Sequence, residues 1–172
     1  MNDSETIVNK VAQSDLLTID LEEYFPKGER IELDIKPWLF LEEILKEKDF
    51  RESLKNHNWE YYQNKHVSIT CSADAIIPTW AYMLVVLKLT PFADTVIFGS
   101  LEKLEEKLWD ISLQKINPKD FQDKKIVIKG CSKLPVPVYA YTQLTHKLSP
   151  FVSSLMYGEP CSTVPLYKKP KN

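Results

Sequence analysis

Two stretches of the 172-residue chain share one skeleton. Cys71-Ser72 leads to Pro78-Thr79-Trp80-Ala81-Tyr82, and Cys131-Ser132 leads to Pro137-Val138-Tyr139-Ala140-Tyr141, with one residue fewer between the two parts in the second copy. The match then runs on at constant offset: Lys88-Leu89-Thr90-Pro91-Phe92 is answered by Lys147-Leu148-Ser149-Pro150-Phe151, and Gly99 by Gly158. A unit present only twice is not a solenoid, which needs three or more short repeats to bury a core. It constrains the chain to an internally duplicated strand-helix-strand unit with approximate two-fold symmetry.

The remaining periodicities fit an α/β protein. Leu16–Leu21 and Arg30–Ile35 alternate apolar and polar residues around the turn residues Pro26-Lys27-Gly28, and form an N-terminal strand pair that could add an antiparallel edge or a small separate sheet. Ile7–Val11 carries the spacing of a short helix capped by Ser4. Lys46–Asn56, with Phe50 and Leu54 four apart among charges, reads as a surface helix. His66–Cys71 and Lys125–Gly130 are strands that enter the two Cys-Ser turns. The helix after Pro78 is apolar nearly all round, as a helix buried between layers would be. Leu101, Leu104, Leu108 and Ile111 mark one face of a helix opened by Ser100. Strands alternating with helices of this length call for a mainly parallel or mixed sheet with helices on its faces. The length fits a single domain, residues 1–172: a strand pair and helix in 1–64, a first repeat in 65–116 and a second in 124–167.

A net charge of −2 supplies no basic field for nucleic acid or anionic lipid. The longest uncharged run, Ala75–Leu87, is too short to span a bilayer and contains Pro78. An acidic N-terminus without an apolar region points to the cytoplasm. There, three cysteines stay reduced and serve as packed thiols, metal ligands or nucleophiles.

In an open parallel sheet, ligands bind beyond the carboxyl ends of the strands. Cys71 and Cys131 hold that position in the two copies, and Cys161 follows the strand that closes the second. Three converging thiolates leave one tetrahedral corner, which is the pattern of a zinc site. Asp74 is the candidate fourth ligand and the candidate catalytic group on a bound water. Glu159 is an alternative, and His66, at the far end of its strand, is less well placed. An iron–sulfur cluster fits less well because no ferredoxin-like spacing is present. Against all of these stands cysteine as a small buried hydrophobe. No Gly-x-Ser-x-Gly elbow supports a serine nucleophile.

Thr70–Tyr82, Lys129-Gly130-Cys131-Ser132, Tyr157–Lys168 and Lys46–Arg51 resemble the bacterial domain of unknown function 2480 family. The resemblance covers nearly the whole chain and implies no activity. Three functions compete: a metal-binding protein, a thiol-based redox or sulfur-handling enzyme, and a non-catalytic interaction module with packed cysteines and an aromatic surface around Trp59, Tyr61 and Tyr62. A small-molecule substrate is left unidentified, and a homodimer stays open as the commonest assembly of soluble chains.

Overall fold

The computed structural model describes residues 16–130, 133–159 and 161–170; the helix expected over Ile7–Val11 lies outside them. Along the described chain run β1 (Leu16–Ile19), β2 (Arg30–Asp34), α1 (Glu47–Asn56), β3 (His66–Thr70), α2 (Thr79–Leu89), β4 (Thr95–Phe98), α3 (Leu101–Leu113), β5 (Lys125–Lys129), α4 (Val138–Leu148), β6 (Ser154–Glu159) and β7 (Ser162–Lys168). They form two compact units, one of residues 27–108 and one of residues 1–26 with 109–172, and the division falls inside α3.

The unit of residues 27–108 holds a parallel sheet in the order β2-β3-β4. Right-handed crossovers between neighbours in that order put both helices on one face. Accordingly, Phe50 and Leu54 of α1 and Ala81, Val85 and Leu89 of α2 share one core with Leu33, Val67 and Ile69. The other unit has the order β1-β5-β6-β7, parallel except for the last pair. Its core joins Trp109 and Leu113 of α3 and Ala140, Leu144 and Leu148 of α4 to Ile19, Ile126, Ile128 and Leu155.

The α/β class with parallel and mixed sheets is as the sequence implies, and the duplication reaches further than the sequence repeat. Register is conserved between the units: His66 pairs with Thr95 as Lys125 pairs with Ser154, and Arg30 pairs with His66 as Leu16 pairs with Lys125. Asn64 and Asp123 both have positive φ, and their N–H groups donate to Phe92 O at 2.9 Å and Phe151 O at 2.8 Å. Both early strands form, but each joins a different sheet instead of pairing with the other, so β1 and β2 are themselves repeat equivalents.

Three local features set the surfaces around these cores, and the last departs from the sequence expectation. The Trp38–Leu41 run is neither strand nor α-helix: a 3-10 turn over Lys36–Trp38 passes into a hairpin closed by Phe40 and Ile44. β7 contains Pro165, which an edge strand tolerates, and a register irregularity lies in the same pair. Finally, α2 is not enclosed. Its core stripe is Ala81, Val85 and Leu89, while Met83 and Leu87 are 61% and 67% exposed. Helices on a single sheet face bury one stripe, whatever the rest of their surface contains.

Candidate functional site

Asp34 ends β2, and its side chain fastens two loops. Oδ1 accepts from Lys36 N at 2.9 Å and from Ser72 N at 3.0 Å, and Oδ2 accepts from Ser72 Oγ at 2.5 Å. The first bond starts the 3-10 turn after β2, in the manner of an Asx turn. The other two anchor the loop that leaves β3. Ile35 N donates to Thr70 O at 3.0 Å beside them. Burial alone would raise the Asp34 pKa, but the bonds from Ser72 Oγ, Lys36 N and Ser72 N, with the Lys36 charge, outweigh it and hold the carboxyl below its ordinary value.

Between these loops and the hairpin Phe40–Ile44 lies an open cleft of about 770 Å³. Its polar lining is Lys36, Glu42, Glu43, Ser72 and Asp74. Lys36 Nζ meets Glu42 Oε2 at 3.0 Å, and the hydrogen bond and charge of Glu42 raise the Lys36 pKa. The hairpin itself is strained. Leu41 and Glu42 have φ of 53° and 59°, and Glu43 N donates to Phe40 O at 3.2 Å. Two consecutive positive φ values are what a type I′ turn demands, and Asn-Gly is the pair that adopts them cheaply. A leucine there is a conformational outlier.

The expected site residues are distributed as follows. Asp74 lines the cleft. Cys71 leaves β3 beside it, partly buried and packed against the same core cluster as Ile77, Trp80 and Tyr82. It is near enough for a thiolate charge there to contribute to the raised pKa of Tyr82, whose main cause is burial, and in a minor way to that of Lys36. Cys161 is exposed in the turn between β6 and β7 and belongs to the other unit. Cys131 lies outside the described residues. Among the described residues, no group of three or more His, Cys, Asp or Glu side chains is arranged to hold a metal ion. His66 stands at the amino end of β3 with Nε2 at 2.8 Å from Lys27 O. Trp59 and Tyr62 are core residues at 8% and 4% exposure, so of the expected aromatic surface only Tyr61 faces solvent.

The second unit repeats the carboxylate at the strand end with different partners. Asp20, directly after β1, accepts from Glu22 N at 2.9 Å and from Lys129 Nζ at 2.5 Å. Glu22 Oε1 accepts from the backbone N–H groups of Lys133 and Leu134, so it pins the loop after β5 as Asp34 pins the loop after β3. Sequence reasoning missed Asp20, Asp34, Lys36 and Glu42. The available signal was the recurrence of Ile19-Asp20-Leu21 as Leu33-Asp34-Ile35, one acid closing each first strand.

These features define a duplicated parallel α/β protein with a polar cleft over the strand ends of one unit, the location where such sheets bind ligands. The family described as "Protein of unknown function (DUF2480)" matches residues 5–169, and the chain belongs to it. No curated protein and no solved structure matches the chain. Among the described residues, no helix is long and apolar enough to cross a membrane.

Proposed function

We propose that the protein binds a small cationic molecule, such as a primary amine, in the cleft above β2 and β3. The observation that carries this reading is the strained Leu41-Glu42 turn. Residues held at unfavourable φ cost about 1–3 kcal/mol each and cluster at ligand-binding segments. Here the turn places Glu42 and Glu43 in the cleft lining together with Asp74. With Lys36 neutralised by Glu42, the carboxylates of Glu43 and Asp74 give the lining its net negative charge, which selects a cation. Asp34 ties both walls in advance, so little ordering remains for the ligand to drive. Calorimetric titration with a panel of amines tests it. A ligand whose affinity drops tenfold or more in Glu43→Gln/Asp74→Asn supports the assignment; binding indifferent to that pair, or no binding across the panel, sinks it.

A second reading is the zinc site of Cys71, Cys131 and Cys161 with Asp74 or Glu159 as fourth ligand. One observation favours it: Glu159 Oε1, two residues before Cys161, is buried and has no hydrogen-bond partner among the described residues, a state that a bound cation would relieve. About one metal per chain by elemental mass spectrometry, with the thiols protected from alkylation, is the expected result. Metal-free protein with one fast-reacting thiol would move the assignment to thiol redox chemistry, in which one cysteine attacks and another resolves.

A further inference from the structure

The unit of residues 27–108 carries an apolar groove of about 600 Å³ between α2 and the end of β4, lined by Tyr82, Met83, Val86, Leu87 and Phe98. Phe98 is 63% exposed, like Met83 and Leu87 beside it. The equivalent place in the other unit lies between α4 and β6. There the helix presents Thr142, Thr145 and His146, β7 pairs with the edge of β6, and Leu166 of β7 lines the groove. The fold therefore closes this groove once, with an added strand. Among the described residues β4 pairs only with β3, and α2 keeps its apolar residues.

We infer that a second copy of this chain covers the groove, in a two-fold dimer that joins β4 to β4. A two-fold axis normal to the sheet makes the strands antiparallel and leaves both helical layers on the same face, so the two α2 helices meet side by side. The sheet becomes six-stranded and its edge is removed, which is how exposed edges are commonly managed. Such contacts are isologous, and an apolar face against its own copy is complementary without further design.

Charge fits the same register. With Thr95 opposite Phe98 of the second copy, Asp94 lies opposite its Gly99. The Lys103 side chain covers Gly99, with Cδ 2.7 Å from where a β-carbon would stand. Asp94 and Lys103 are both exposed, and neither has an ion-pair partner among the described residues. The dimer supplies two such pairs. Met83, Val86, Leu87 and Phe98 are 61%, 38%, 67% and 63% exposed, and covering them together with the paired edge and the 99–103 turn contributes to the roughly 800 Å² per partner of a standard interface.

Sedimentation equilibrium of the full chain tests the inference. Wild type is expected to be a dimer at micromolar concentration. Met83→Glu/Leu87→Glu is expected to sediment as a monomer while keeping the wild-type far-UV circular dichroism. Asp94→Lys is expected to weaken the dimer at least tenfold, and Asp94→Lys/Lys103→Asp to restore it, a rescue that loss of folding cannot mimic. A wild type that stays monomeric at 100 µM, or a dimer that survives Met83→Glu/Leu87→Glu, overturns the proposal. So does a monomer that instead takes up lipid vesicles or an extended peptide through this groove.

Discussion

The two units solve the same construction with different surfaces. α2 and α4 have the same length, the same proline N-cap and the same buried stripe, Ala81-Val85-Leu89 against Ala140-Leu144-Leu148. Where the core decides, the copies agree. Where solvent decides, they diverge: Met83, Val86 and Leu87 in one helix stand against Thr142, Thr145 and His146 in the other. The loops after β3 and β5 diverge as well. Asp34 binds Ser72 directly, whereas Asp20 takes the Lys129 ammonium and Glu22 takes over the loop. Constraint thus follows burial, and the freedom for function lies at strand ends and on outer helix faces.

The largest expected effects probe the shared core. Phe50 and Trp109 are fully buried, and they occupy equivalent places, with edge contacts to Trp38 and Phe25 respectively. Phe50→Ala and Trp109→Ala should each cost about 3–5 kcal/mol in urea unfolding. Hydrogen exchange should localise the loss, Phe50→Ala to β2–β4 and Trp109→Ala to β1, β5 and β6. Loss spread evenly over both sheets would show that the two cores are not separate. A medium effect of opposite sign is expected at the Leu41-Glu42 turn, which among the described residues is present in one unit only. Leu41→Asn/Glu42→Gly should stabilise by about 1–2 kcal/mol by relieving the positive φ values, and it should weaken amine binding because Glu42 leaves the rim. No gain in melting temperature would remove the strain argument.

Much of the fold was legible because buried periodicity is local. Val67 and Ile69, Ile126 and Ile128, and the four-residue spacing of each helix stripe announce their elements from neighbouring residues alone. The partnership of β1 with β5 was not legible, since β2, α1, β3, α2 and β4 intervene between β1 and α3 and break the constant offset that revealed the later repeat. Asp74 was found because it lies inside the repeated motif. Asp34 escaped because its role depends on Ser72, thirty-eight positions away, a pairing that no local pattern encodes. The expectation that α2 is enclosed had a different cause. Composition gives the polarity of a helix surface, but only the sheet's single helical face says how much of it is covered.

Smaller effects come from titration. His57 lies between Trp38 and Trp59, with Nε2 3.0 Å from Tyr62 Oη, and burial lowers its pKa. Its folded pKa is below the unfolded value of about 6.5, so the unfolded chain binds the proton more readily and stability falls as pH drops below that value. His57→Gln should flatten this slope; an unchanged slope would assign it to another group.

The smallest effects separate the two strand-end carboxylates. Both have lowered pKa values: burial opposes the shift in each, and the Lys129 hydrogen bond leads the lowering at Asp20 as Ser72 Oγ does at Asp34. A depressed carboxylate contributes stability above its unfolded pKa, near 3.9, and loses it as pH falls through the folded value. Ser72→Ala should raise the Asp34 pKa and leave Asp20 unmoved, and Lys129→Met should do the reverse, both read by carbon-detected NMR of the carboxyl groups. The stability change in each case should stay within about 1 kcal/mol, because these groups are partly exposed and solvent screens them. If either substitution moves both carboxyls, the two strand ends share one electrostatic environment, and the separate pinning of the β3 and β5 loops loses its support.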